Sequence, residues 1–191
     1  VDILQAINRI SRDEALMLLK EEPLLSLGEK AFEVKKALYG DRITFVNNVH
    51  VNPTNLCVLS CKFCDYAAKK GDAHAYDLSE ESILKTLEDG HIQEAHVVSG
   101  LWPKWGFERS LNLIRSIRAA RPDMWLKAFT AVEVKYFAKM ERRDFPSILA
   151  EMMEAGVDML PGGGAEILSD RIHQELYKDK IGPKEWLEVH D

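Results

Sequence analysis

Apolar and polar positions alternate with two different periods along the chain. Ser11 and Glu14 form a capping-box pair just before Ala15-Leu16-Met17-Leu18-Leu19, which predicts a helix that Pro23 ends. A second helix is predicted from about Leu24 to Tyr39, with Gly40 as its stop. Residues 1–40 therefore read as an N-terminal helical segment. Ile43-Thr44-Phe45-Val46 then reads as a short strand, and a second β segment reaches Val51 before Asn52-Pro53-Thr54-Asn55.

From there helices and strands alternate. Ser79 caps a predicted helix with Ile83, Leu84 and Leu87 on one face, closed by Gly90. Strands are predicted at Glu94–Val98, Trp125–Thr130 and Val157–Leu160. Between them lie a helix over Phe107–Ala120 and two more over about 133–141 and 146–155, the last closed by Gly156. The last three strands end near residues 99, 130 and 160. That is one βα unit per roughly 30 residues, the length a right-handed crossover needs. The fold class expected over 41–191 is therefore α/β with a parallel sheet, doubly wound or a TIM-like barrel. Such folds bind ligands at the carboxyl edge of the strands. Here that edge carries Asn52–Asn55, Ser99-Gly100, Thr130 and Pro161-Gly162-Gly163-Gly164.

Composition narrows the choice of function. Hydrophobic residues make up 46% and charged residues 29%, which argues against disorder and against a small disulfide scaffold. A net charge of −6 lacks the clustered cationic excess of a nucleic-acid binder. No apolar run approaches the ~18 residues of a spanning helix, so no membrane partner is expected. Val1-Asp2-Ile3-Leu4 shows no export-signal pattern. The chain starts at Val1 and stops within a helical pattern, Trp186–Asp191, so the barrel is expected to be incomplete here, its C-terminal part absent.

The sharpest signal is Cys57-Val58-Leu59-Ser60-Cys61-Lys62-Phe63-Cys64, which holds all three cysteines of the chain. An odd set so closely spaced is a poor disulfide framework and a good ligand set in a reducing compartment, which points to the cytoplasm. Three thiolates can hold three irons of a cubane and leave the fourth open to a small molecule, whereas an electron carrier uses four cysteines. The competing reading is a non-catalytic module, either iron–sulfur or a zinc site completed by His50 or His74.

The C-x-x-x-C-x-x-C spacing, with aromatic Phe63 before the last cysteine, resembles the radical S-adenosylmethionine (SAM) enzymes. Three further blocks, Asn52–Cys57, Lys127–Glu133 and Leu160–Ile167, are similar to the branch of that family in the futalosine route to menaquinone. Lys127-Ala128-Phe129-Thr130-Ala131-Val132-Glu133 resembles the aminodeoxyfutalosine synthases in particular. The sister cyclase, cyclic dehypoxanthinyl futalosine synthase, and the deazaflavin-pathway synthases remain alternatives. One departure is Ser99-Gly100-Leu101-Trp102-Pro103, where the branch usually has Gly-Gly-Leu-His-Pro.

The resemblance implies a [4Fe–4S] cluster on Cys57, Cys61 and Cys64, SAM as co-substrate, and a low-potential electron donor. It implies a 5′-deoxyadenosyl radical that adds to 3-[(1-carboxyvinyl)oxy]benzoate to form aminodeoxyfutalosine. Phe63, Ser99, Gly100, Gly162, Gly163 and Glu166 are the expected cofactor-binding positions. Lys127, Thr130, Glu133 and Arg171 are the expected catalytic or substrate-binding positions. Each has a plainer alternative: a strand-edge lysine, a turn, a helix-terminal charge, a solvated arginine. Trp102, Trp105 and Phe107 either line a pocket or pack a loop, His96 reads as a packed strand residue, and Lys69-Lys70 and Arg142-Arg143 read as solvated pairs.

Overall fold

The computed structural model describes residues 10–191; the start of the predicted N-terminal segment and Val1–Leu4 lie outside the described residues. Two compact units divide between Phe45 and Val46. In the first, α1 (Arg12–Glu21) opens on the expected capping box: the Glu14 N–H donates to Ser11 Oγ at 3.2 Å and the Ser11 N–H to the Glu14 carboxylate at 3.4 Å. The second helix, α2 (Leu24–Tyr39), ends at Gly40, whose φ of 60° suits glycine. Neither helix contains a buried residue. The strand expected at Ile43–Val46 does not form: Ile43 and Phe45 are 86% and 90% exposed, and no strand among the described residues pairs with them.

The second unit holds a three-stranded parallel sheet in the order β1 (Asn48–Val51), β2 (Glu94–Val97), β3 (Trp125–Ala128). His50, His96 and Lys127 share one register row, as do Val51, Val97 and Ala128. Helices α3 (Glu80–Lys85) and α4 (Phe107–Ala120) cross from strand to strand. After β3 come α5 (Ala131–Glu141) and α6 (Phe145–Ala155), then α7 (Asp170–Leu176) and α8 (Pro183–His190).

Strand alternation sorts the sheet into two faces. Val51, Ala95, Val97, Leu126 and Ala128 are buried in one core with Leu111, Ile114, Ile117, Phe137, Ile148 and Met152 of the helices. The other face is polar. There Lys127 pairs with buried Glu94 at 3.0 Å, and the His50 and His96 rings lie 4.7 Å apart. A parallel sheet with helices packed on one face and the other face left to side chains of the strands is the layout of a βα barrel wall.

Two strand ends depart from expectation. The third strand stops at Ala128 because Phe129 turns left-handed, with φ of 62°, and Thr130 becomes the cap of α5. Val157–Leu160, expected as a fourth strand, meets β3 through a single bridge, Lys127 to Met159. The Asp158 carboxylate accepts the Leu126 N–H at 2.7 Å, so a side chain takes one place in the ladder. Arg118 fixes this edge by donating to the carbonyls of Pro122, Met124 and Gly156 and to Asp158.

Candidate active site

At the carboxyl edge of the sheet the loops enclose a cleft of about 330 Å³. It is lined by all three cysteines together with Phe63, Ser99, Gly100, Thr130, Glu133, Gly163 and Glu166. Three predicted positions are not in its lining: Gly162, Lys127 and Arg171. Gly162 faces open space. Lys127 is engaged by Glu94 on the polar face of the sheet. The Arg171 side chain is 78% exposed, with Glu175 at 3.9 Å.

The cysteine loop is held by its neighbours from both sides. Thr54 Oγ1 donates to the Tyr76 carbonyl, and the Asn55 side chain donates to the His74 carbonyl and accepts from the Tyr76 N–H. Those bonds fix the base of the loop where it leaves β1. Further along, the Cys57 N–H donates to Ala68 O, Val58 N–H to Leu101 O and Lys62 N–H to Leu176 O. Lys69, expected in solvent, donates to the carbonyls of Cys57 at 2.8 Å and Leu59 at 2.5 Å; a long flexible ammonium serves where backbone carbonyls lack a backbone donor. Arg143 likewise is engaged, by Ser147 and Glu151.

Gly100 is required by contact. A Cβ on it would stand 2.3 Å from the Leu56 carbonyl oxygen, and its N–H donates to Thr54 O at 2.8 Å. The absent side chain thus lets the loop after β2 press against the residue preceding Cys57. Gly164 has the same character: its φ is +96°, and a Cβ there would stand 2.4 Å from the Val132 side chain.

Glu133 is 2% exposed and fully engaged. One carboxylate oxygen accepts the Ser99 N–H at 2.8 Å; the other accepts the Thr130 N–H at 2.7 Å and the Thr130 hydroxyl at 2.8 Å. Burial pushes its pKa up to about 7, against the pull of those donors and of the Lys180 charge. The carboxylate therefore ties the loop after β2 to the start of α5. Burial also raises the Cys61 thiol, opposed by Lys180, and raises the phenol of Tyr66, which meets Tyr76 at 2.5 Å.

Trp105 and Phe107 pack rather than line the cleft: the Trp105 indole donates to Asp77, Arg109 lies over its ring at 3.7 Å, and Phe107 meets Phe137. His96 is more than a packed strand residue. It lines the cleft, its buried Nε2 has no hydrogen-bond partner among the described residues, and burial lowers its pKa. Neither His50 nor His74 is in the lining.

Sequence reasoning passed over Lys180. Among the described residues lining the cleft it is the one Lys or Arg. It pairs with Glu166, and its Nζ stands 5.5 Å from the centre of the Phe63 ring. Nothing local in Asp179-Lys180-Ile181 distinguishes it from a surface lysine; its place depends on the chain returning from α7.

Among the described residues, no three His, Cys, Asp or Glu side chains converge as a single-ion site does. A cubane holds each iron at its own vertex, so its thiolates need not converge. Three thiols in one cleft, with no fourth cysteine in the chain, form a donor set that fits such a cluster.

A parallel βα sheet with a three-cysteine loop at its carboxyl edge defines a class of enzyme folds built around a cluster. Residues 51–191 match the Radical SAM superfamily model, and the chain belongs to that family, whose members use a [4Fe–4S] cluster and SAM. It is 31% identical over 185 residues to the aminodeoxyfutalosine synthase of Thermus thermophilus, covering 95% of this chain and 50% of that protein. It is 33% identical over 159 residues to the 5-amino-6-(D-ribitylamino)uracil–L-tyrosine 4-hydroxyphenyl transferase of Methanopyrus kandleri, covering 82% of this chain and 43% of that protein. The chain thus spans about half the length of the curated relatives it matches. The crystal structure of methylornithine synthase shares the fold, with a TM-score of 0.70 at 14% identity over 98% of this chain and 53% of that one. No helix among the described residues is long and apolar enough to cross a membrane.

Proposed function

We propose that this chain carries the cluster-binding part of a radical SAM synthase that forms aminodeoxyfutalosine from SAM and 3-[(1-carboxyvinyl)oxy]benzoate, in the cytoplasm and with a low-potential electron donor. The observation that carries the reading is the meeting of Cys57, Cys61 and Cys64 with Ser99, Gly163 and Glu166 in one cleft at the carboxyl edge. The Lys127–Glu133 block supports the choice of reaction. We read residues 41–191 as the first part of a βα barrel, and the half-length match to the relatives supports a part rather than the whole.

In this reading Cys57, Cys61 and Cys64 hold a [4Fe–4S] cluster, which when bound with SAM supplies the 5′-deoxyadenosyl radical. The protein's own work is to hold, orient and shield. Gly100 and Lys69 set the cysteine loop against β2 and its own carbonyls. Glu133 fixes Ser99 and Thr130, so the wall facing the cysteines is ordered before ligand arrives. Leu59, Phe63, Leu101 and Val132 line the cleft with apolar surface that excludes water and quenching donors. Glu166 and the Gly163 backbone face the same space and serve polar groups of SAM.

The transferase at 33% identity supports a second reading, a deazaflavin-pathway synthase. The test is to reconstitute the full-length protein without oxygen and reduce it with dithionite in the presence of SAM. Parallel reactions receive the enolpyruvyl benzoate or tyrosine with 5-amino-6-(D-ribitylamino)uracil. Aminodeoxyfutalosine by mass spectrometry is the expected product. A tyrosine-derived adduct instead would overturn the reading in favour of the second, and one colourless zinc per chain would overturn both.

A further inference from the structure

Residues 176–181 lie across the cysteine loop. The Lys62 N–H donates to Leu176 O at 2.9 Å, and the Phe63 ring meets Tyr177 edge-on at 5.6 Å. The Lys180 backbone is held by its own N–H to Tyr177 O at 2.9 Å, and its carbonyl lies 3.2 Å from Nε2 of buried His173. That anchorage aims the Lys180 side chain inward, where it is 13% exposed and passes beside the rings of Phe63 and Tyr177 to reach Glu166. Lysine stems commonly lie along apolar surface while the ammonium stays in water; the Lys180 ammonium is instead held against Glu166, with its side chain 13% exposed. Here the ammonium stands between the loop that carries Cys61 and Cys64 and a carboxylate on the opposite loop.

We propose that Lys180 is a positioning residue that supplies the cleft's positive charge to the cysteine loop, with Glu166 as its counter-charge, and that this pair sets the reduction potential of the cluster. The proposal rests on the reading that the three cysteines hold a [4Fe–4S] cluster. Reduction adds one electron to the cluster. A nearby cation stabilises the added charge and raises the potential, and a nearby carboxylate lowers it, since net local charge is one of the factors that set such potentials. The two partners of the pair therefore act in opposite directions. A purely packing role would not produce that opposition.

The test uses the full-length protein, reconstituted without oxygen and titrated with dithionite under paramagnetic-resonance detection, without SAM. K180M should lower the midpoint potential, E166Q should raise it, and K180R should stay close to wild type, all at equal iron content. Unchanged potentials in both K180M and E166Q would overturn the proposal, as would shifts of the same sign. Loss of iron from K180M and K180R alike also overturns it, because shape rather than charge would then be what matters. Loss of iron from K180M alone, with K180R loaded, overturns it as well, because the charge would then be needed to assemble the cluster rather than to set its potential. A wild-type protein that takes up no cluster overturns the cluster reading itself, a result distinct from all of these.

Discussion

The two walls of the cleft are built differently. The wall made by the ends of β2 and β3 is short, buried and locked by one carboxylate: Glu133 is 2% exposed and uses both oxygens on Ser99 and Thr130. The facing wall is the long loop from Asn52 to Ser79, where Val58 and Phe63 are about half exposed and the bonds run within the loop, as from Cys57 N–H to Ala68 O, or out to the carbonyls of Leu101 and Leu176. The first wall is ordered by the fold itself. The second gets its order from its own bonds, those of Lys69 among them, and from contacts with the loop after β2 and with α7. The lesson is that a chemically demanding ligand set can sit on a loop, provided a rigid edge stands opposite to hold its base.

The largest effect should come from the loop. Replacing any one of Cys57, Cys61 or Cys64 by Ala removes a thiolate that no other cysteine can replace. Iron uptake should collapse and SAM cleavage should disappear, read by iron analysis and by 5′-deoxyadenosine formation. The helical circular-dichroism signal should stay, because the cysteines lie outside every helix.

Next comes the lock on the rigid wall. Glu133→Ala strands the Ser99 and Thr130 N–H groups, at ~1–3 kcal/mol each, so a loss of about 3 kcal/mol in denaturant unfolding is expected. SAM affinity should fall with it. Gly100→Ala attacks the seam between the walls. Its Cβ would stand 2.3 Å from backbone, which cannot swing away as a side chain tip can. A loss of about 2 kcal/mol is expected from overpacking, together with poorer cluster loading.

A smaller effect concerns pH. Glu133 titrates near 7 in the folded chain against an ordinary 4.5, so between those values the folded state binds more protons than the unfolded state. Its contribution to stability is greatest below about 4.5 and falls as pH rises toward 7. Glu133→Gln should flatten that decline when melting temperature is followed against pH, and an unchanged slope would count against the assignment. The smallest effect is expected at Arg171→Ala. That side chain is 78% exposed with a 3.9 Å partner, so stability should change by less than about 0.5 kcal/mol and SAM affinity should hold.

Much of this can be read along the chain because the deciding signals are local. The capping pair Ser11–Glu14, the span of α4 and the stop at Gly156 each depend on residues a few positions apart. The cysteine loop is contiguous, so its chemistry is visible in eight residues. What stays hidden depends on distant partners. Ile43–Val46 has the composition of a strand but no neighbour among the described residues to complete one. The fourth strand is shortened by the Asp158 side chain, which no propensity scale anticipates. Lys69 reads as one of two solvated lysines, and Lys180 carries no signal; both meet the cysteine loop through three-dimensional return of the chain. Strand alternation puts Lys127 on the face opposite Leu126 and Ala128, yet its partner Glu94 lies a strand away.

Arg118 has a consequence for how the molecule breathes. One guanidinium collects Pro122 and Met124 ahead of β3 and Gly156 and Asp158 beyond α6, while Asp158 also takes the Leu126 amide. Peeling this margin away cannot proceed bond by bond, since releasing the guanidinium frees every acceptor together. The amide hydrogens of Leu126 and Asp158 should therefore exchange with deuterated solvent in a single cooperative opening, shared by the span from α4 to the end of α6.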